Sequence, residues 1–339
     1  MKRVLLMALL VLTAGLMLTA LAAGLWWRAV HAPLAINEQQ SLIVESGASA
    51  ARVAQRLEQQ GMLGDRRLFT SWARFQGQER AIRSGEYLLQ PGATTADLLS
   101  TLVAGRTVQH PVTFIEGWRM SQVLESLWQN DIVNNTLEGL SEEEVLLRLD
   151  LSFPALEGLV YPDTYLVTRG TSDESILRRA SNRLQQVLDE EWNHRDVGLP
   201  YSSPYEALIM ASIVEKESGY LAEKPRVAGV FVRRLHEGMR LQSDPTVIYG
   251  VGEDYTGVIR RVDLDTTTPW NTYRINGLPP TPIAIVARDA IRAALQPADE
   301  PYFYFVSRGD GTHQFSETLQ QHNAAVRRYI RGEPDDNND

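Results

Sequence analysis

Residues 4–27 carry no charged side chain, and this uncharged run limits where the rest of the chain can fold. Lys2 and Arg3 precede it and Arg28 follows. At ~1.5 Å per residue, a helix of this length covers ~36 Å, enough to cross a ~30 Å hydrocarbon core with some tilt. Trp26 and Trp27 stand at its far end, where amphipathic rings favour the membrane interface. A cleaved signal peptide, with Ala20-Leu21-Ala22 as the processing site, is the alternative. The run is long for a signal peptide and favours a retained anchor. Two positive charges before it and one after give only a weak orientation vote. Either way the bulk of the chain lies across the membrane from residues 1–3. The expected organisation is a cytoplasmic N-terminus (1–3), an anchor (4–27), a linker (28–40) in which Pro33 discourages further helix, a small subdomain (41–105), a main domain (106–331) and a disordered acidic tail (332–339).

The chain's 339 residues suit two or three domains, and a net charge of −9 disfavours nucleic-acid binding. Arg pairs at 66–67, 178–179, 233–234, 260–261 and 327–328 are scattered and read as solvated helix faces. There is no cysteine, which removes disulfides, thiolate zinc sites and thiol catalysis. The six histidines lack metal-type spacing, and phosphate-cradling glycine loops and a Gly-x-Ser-x-Gly elbow are missing. The expectation is therefore no metal and no cofactor.

A repeat follows the linker. Gly47, Val53 and Leu57 recur as Gly92, Leu98 and Leu102, and again as Gly117, Val123 and Leu127. Each glycine follows a short apolar stretch. The implied unit is a strand, a glycine turn, and a helix whose i, i+4 pair packs back on the strand. Such a small β/α module suits gripping a glycan. Residues 66–76 read as a helix with Leu68, Trp72 and Phe75 on one face. Residues 137–151 read as a helix capped by Ser141. Residues 156–167 are irregular, and Glu157, Tyr161, Asp163 and Tyr165 read either as a cleft wall or as a packed loop. A long helix spans 174–192.

The sharpest stretch is 207–249. An apolar helix opened by Ser203 or Pro204 ends in Glu215, Lys216, Glu217, Ser218 and Gly219. Glu217 shares a face with Met210, Ile213 and Val214, whereas Glu215 lies about 200° around. Partial desolvation on the apolar face would raise the pKa of Glu217 and keep it protonated as a general acid. An exposed acid at a helix end is the plainer alternative, and Glu215 is the rival acid. Another helix spans 225–237, with Gly238 at its stop. Asp244 reads as an N-cap followed by Pro245. Residues 266–285 are loop by composition, and Asn271, Thr272, Tyr273 and Asn276 are side chains suited to sugar hydroxyls and acetamido groups. A strand at 302–306, a turn at 308–311 and a last helix capped by Ser316 complete the chain. Glycosidases ordinarily need two carboxylates. Asp244, Glu223 and Asp265 are the candidates for a second, and one acid suffices if the substrate supplies its own nucleophile.

Three segments resemble the endolytic murein transglycosylase family (MltG, or YceG-like): residues 211–218, residues 239–250, and Asn271-Thr272-Tyr273 with Gly277-Leu278-Pro279-Pro280. The resemblance extends to Glu116-Gly117 and Tyr161-Pro162-Asp163-Thr164 and covers essentially the whole chain. It implies an α+β fold with a single N-terminal transmembrane helix, a LysM-like β/α subdomain, and a mixed α/β catalytic domain with a lytic-transglycosylase-type cleft. It maps the catalytic acid onto Glu217. It places Ser218, Gln242, Ser243, Asp244, Thr246, Tyr249, Asn271 and Tyr273 around the substrate. The implied reaction cuts peptidoglycan glycan strands internally, leaving 1,6-anhydro ends, from the inner membrane with the catalytic part in the periplasm. Peptidoglycan synthases or the elongation machinery are the implied protein partners. A hydrolytic muramidase and a non-catalytic glycan-binding scaffold are the competing readings.

Overall fold

The computed structural model describes residues 2–45 and 47–332, so the acidic tail from 333 onward lies outside the described residues. The fold is mixed α/β, with helices set around small two-stranded sheets. The chain divides into two compact units, Met1–His110 with Leu166–Gly170, and Pro111–Tyr165 with Thr171–Asp339.

The first unit begins with helix α1 (Lys2–Val30), whose apolar run is exposed along its length. The helix stops short of Pro33, as that residue requires. The segment expected to be a free linker is docked instead. Val30 is wholly buried in the unit's core, Ile36 is buried, and the Leu34 amide donates to the Ala93 carbonyl at 2.8 Å. Strand β1 (Gln40–Val44), helices α2 (Ala50–Gln59) and α3 (Arg66–Phe75), strand β2 (Gly85–Leu89) and helix α4 (Thr95–Ala104) follow in a β-α-α-β-α order. β1 and β2 pair antiparallel, with Leu42 opposite Tyr87. Ser49 caps α2, and Thr94 forms a capping box with Asp97 on α4. Gly47 and Gly92 both take positive φ, and Val53, Leu57, Leu98 and Leu102 are buried. The inward stripe of α3 is Phe69, Trp72 and Ala73, while Phe75 is 65% exposed. The helical spacing located the helix there, and Trp72 and Phe75 do share a face, their rings stacked at 5.6 Å with only Trp72 buried.

Strands β3 (His110–Thr113) and β4 (Thr164–Val167) fall where the chain passes between the units, and the second unit holds helices α5 (Met120–Trp128), α6 (Glu142–Leu149), α7 (Asp173–Asn193) and α8 (Pro204–Glu217). Helices α9 (Lys224–His236), α10 (Asp244–Val251), α11 (Arg261–Asp265) and α12 (Arg288–Leu295), strands β5 (Tyr304–Ser307) and β6 (His313–Ser316), and helix α13 (Leu319–Val326) complete it. Gly117 again takes positive φ before α5, and Val123 and Leu127 are buried. Ser141 caps α6 through a capping box with Glu144. α8 is the spine. Its residues from Ala207 to Val214 are all buried, and α7, α9, α10 and α12 pack around it.

Residues 266–285 are irregular, as composition indicates, yet their second half is core rather than an open binding loop. Ile283, Ala284 and Ile285 are buried, and the Ile283 amide donates to the Ser212 hydroxyl of α8 at 3.0 Å. The last helix is capped by Thr318, whereas Ser316 is buried on β6. One close approach sets the packing of α9. A Cβ added at Gly229 would lie 2.4 Å from the Ala298 carbonyl oxygen, and the Ala298 amide is itself held by the Pro225 carbonyl at 2.9 Å. Gly229→Ala is therefore expected to lower stability by about 1–3 kcal/mol despite the better helix former, read as a fall in the urea midpoint.

Candidate active site

Glu217 is the last residue of α8, where the apolar spine emerges beside a cleft of about 470 Å³. α9, the β5–β6 hairpin and α13 supply other walls, and Gln242, Asp244 and Tyr273 also face the opening. The Ser243 hydroxyl donates to Glu217 Oε1 at 2.5 Å. Burial pushes the Glu217 carboxyl up to about 7, opposed by the Ser243 hydrogen bond, reinforced by the nearby Asp244 carboxylate and countered by the Arg234 guanidinium. A carboxyl poised there can hold a proton and give it up near neutrality.

The contact to Ser243 depends on an unusual turn. Gln242 takes φ of 53°, a conformation L-residues with side chains seldom adopt. Thr272 holds that turn: its carbonyl accepts from the Gln242 amide at 3.2 Å and its hydroxyl from the Ser243 amide at 2.9 Å. Asp244 is not the N-cap expected from the Asp-Pro pair. It is the first residue of α10, and Ser243 holds the N-cap position without capping, because its hydroxyl goes to Glu217. The Asp244 carboxylate accepts from the Tyr273 hydroxyl at 2.7 Å.

Glu215 is accounted for otherwise. It lies inside the unit, with Lys224 Nζ at 2.7 Å from one carboxylate oxygen and the Ala287 amide at 3.2 Å from the other. Both side chains of that ion pair are about 5% exposed or less. The geometry makes Glu215 a structural anion and leaves Glu217 as the acid of this helix end that faces the cleft.

Four of the residues expected around substrate serve the frame instead. Ser218 is buried and its hydroxyl exchanges hydrogen bonds with the Tyr220 backbone. Thr246 is wholly buried, between the Ser243 carbonyl and the Thr272 hydroxyl. Asn271 is buried, and its amide donates to the carbonyls of Asp263, Leu264 and Thr266. The Tyr249 hydroxyl donates to Glu157 at 3.2 Å. Glu157, one of the residues read as a possible cleft wall, is buried and also accepts from the Met120 amide, and desolvation pushes its carboxyl up to about 7. Tyr165 is likewise buried, its hydroxyl on the Tyr161 carbonyl. Among the described residues, no acid, histidine or cysteine cluster could hold a metal ion.

A YceG-like family profile matches residues 42–328. The chain belongs to the YceG-like family. It is 28% identical over 308 residues to the endolytic murein transglycosylase of Bacillus subtilis, covering 85% of this chain and 84% of that protein. It is 24% identical over 335 residues to the endolytic murein transglycosylase of Streptococcus pneumoniae serotype 2, spanning 88% of this chain but only 60% of the pneumococcal protein. A crystal structure of a YceG-like protein from Listeria monocytogenes superposes with a TM-score of 0.52 at 28% identity, covering 84% of this chain and 98% of that one.

In this YceG-like chain, sequence reasoning missed several side chains at the cleft. Arg234, half of an Arg pair read as solvated, is 7% exposed and donates to the carbonyls of Phe303 and Leu241. Tyr304 and His322 stack at 5.2 Å beside it. They reach the site through tertiary packing of α9, the hairpin and α13, and no local pattern marks them. Removing the Ser243 donor should let the Glu217 carboxyl rise further, so in Ser243→Ala it is expected to titrate at higher pH in a carbon-13 NMR titration. An unmoved midpoint would show that the contact does not act on the carboxyl.

Proposed function

We propose that this chain is an endolytic peptidoglycan lytic transglycosylase, with Glu217 as its single acid and base. The observation carrying the proposal is the Glu217 carboxyl, desolvated to a pKa of about 7 and held by Ser243 at the wall of an open cleft. The endolytic murein transglycosylases among its relatives support the same reading.

Glu217 protonates the glycosidic oxygen between N-acetylmuramic acid and N-acetylglucosamine. Positive charge builds at the muramoyl C1. The Glu217 carboxylate then takes the proton from the C6 hydroxyl of the same sugar, whose oxygen attacks C1 and closes a 1,6-anhydro ring. No water is consumed, and the internal nucleophile has a high effective concentration. Gln242 and Tyr273 line the sugar-binding surface, and Asp244, fixed by Tyr273, faces the developing cation.

The remainder of the reading concerns placement. Exposed α1 supports a single-pass anchor, with residues 1–3 in the cytoplasm and both units in the periplasm at the inner membrane. The β1-α2-α3-β2 order, with its paired strands, supports a LysM-like glycan-gripping subdomain at 41–105, ahead of a catalytic domain at 106–331. Trimming nascent strands beside peptidoglycan synthases or the elongation machinery belongs to the same reading.

A second reading rests on Asp244, which faces the same cleft as Glu217 and could serve a hydrolytic muramidase as second carboxylate. Mass spectrometry of peptidoglycan digested by the full chain separates the two. Internal fragments ending in 1,6-anhydro-muramic acid are expected, and ordinary reducing ends would establish the hydrolase. Unchanged strands from the wild-type chain would overturn both.

A further inference from the structure

We infer that the aromatic end of α3 lies in the lipid headgroup layer, making the first unit a membrane-surface module as well as a tethered one. The inference rests on α1 crossing the bilayer and goes beyond it to a separate surface. α1 does not end in a loose tether. Its last turn enters the unit's core through Val30, which is wholly buried. Just before it, the Trp26 indole nitrogen donates to the Ser71 hydroxyl of α3 at 2.8 Å. The Trp26 ring lies 5.6 Å from Trp72 and 5.4 Å from Phe75, and the Trp27 ring lies 5.7 Å from Trp72.

These contacts fix depth. With Lys2 and Arg3 at one face, a ~36 Å apolar run uses up a ~30 Å hydrocarbon core just as it reaches Trp26 and Trp27. The headgroup layer beyond is only ~5–7 Å thick on each side. Rings within about 6 Å of Trp26 and Trp27 therefore lie in or at that layer, and a tilt of the helix toward α3 draws them deeper.

The chemistry of α3 fits such a place. Phe75 is 65% exposed and Trp27 52% exposed, so the cluster presents apolar ring area that no other part of the unit covers. Arg66, Arg67 and Arg74 lie on the same short helix; the Arg74 side chain is 80% exposed and pairs at 3.2 Å with Glu79, and Arg66 pairs with Glu58 at 4.0 Å, so their guanidinium groups stand at the surface. Aromatic rings at the acyl boundary with guanidinium groups toward phosphate are the pattern of an interfacial helix. Trp26 differs from a free interfacial tryptophan in that Ser71, rather than water or lipid, satisfies its N–H. That bond ties the span to the surface helix.

The chain has no cysteine, so single labels can be placed on the full-length protein without background. Phe75→Cys, with Leu12→Cys inside α1 and Ile43→Cys on β1 as references, would each carry a bimane and be reconstituted into vesicles of phosphatidylethanolamine and phosphatidylglycerol. Quenching by doxyl groups on the lipid is compared with quenching by aqueous iodide. Labels at positions 12 and 75 are expected to lose most of their emission to the doxyl lipid, and the label at 43 only to iodide. Iodide quenching at 75 equal to that at 43, with position 12 still lipid-quenched, would overturn the surface contact alone. A label at 75 sheltered from both quenchers would mean a protein partner or second copy covers it, and would also overturn the inference. Position 12 open to iodide would remove the spanning premise itself. Phe75 is exposed, so its replacement leaves the core intact, and a thermal melt matching wild type checks this.

Discussion

Glu217→Gln is expected to lower strand cleavage by about 10³–10⁴-fold while leaving the fold intact. One proton transfer by a positioned acid contributes about 10²–10⁴-fold, and here the same carboxyl serves both protonation and deprotonation. With the carboxyl titrating at about 7, wild-type cleavage should fall as pH rises above that value, because the first step needs the protonated form. Stability carries its own signature. The folded-state value lies above the ordinary carboxyl value of 4.5, so the native state holds the proton more tightly than the unfolded chain does. The Glu217 contribution is fully present below about 4.5 and is lost as pH rises through about 7. A glutamine side chain never ionises, so the variant should gain on wild type at about pH 8, by at most about 3 kcal/mol, and show little difference at about pH 4. Chemical denaturation at the two pH values, beside product analysis, makes the check. Undiminished cleavage would remove Glu217 from the mechanism, and a variant that is inactive because it is unfolded would show no such pH-dependent gain.

Lys224→Met should be the most destabilising of the single changes considered. Lys224 and Glu215 form an ion pair in which both side chains are almost fully buried, the second Glu215 oxygen being held by the Ala287 amide. Removing the cation leaves a carboxylate in the interior without its counter-charge, at a cost of about 3–5 kcal/mol. The double variant Glu215→Gln with Lys224→Met removes both charges and is expected to recover most of that loss, since no unpaired charge is left inside and the glutamine carbonyl still accepts from the Ala287 amide. Guanidinium unfolding of the wild type, the two single variants and the double variant closes the cycle. Additive single effects would show that the two side chains do not act as a pair.

What could be read from sequence was local chemistry. Strand, glycine and helix recur at 47, 92 and 117 because each glycine must take positive φ and each following helix must bury an i, i+4 pair, and both demands are written within about ten residues. Ser141 and Ser203 cap their helices for equally local reasons. The apolar face beneath Glu217 also pointed to its desolvation. What escaped was every role assigned by a distant partner. Asn271 has the right amide for a sugar, yet three backbone carbonyls claim it. Arg234 has the composition of a solvated residue, yet β5 and its neighbours enclose it. Ser243 has the position of a cap, yet its hydroxyl crosses to α8. Polar side chains of the same type can serve frame or site, and only tertiary contact decides which.

The unbroken run of α1 into Val30 has a mechanical consequence. In the proposed anchored protein, an apolar segment of ~36 Å exceeds a ~30 Å hydrocarbon core, and tilting of the helix is one way such a mismatch is relieved. On a flexible tether that lean would be absorbed before it reached the folded part. Here the last turn is part of the first unit's core, so with α1 in a bilayer the unit would lean with it. On the proposed single-pass anchorage, bilayer thickness would become an input to the protein: a thicker membrane would stand the first unit more upright and a thinner one would lay it further over.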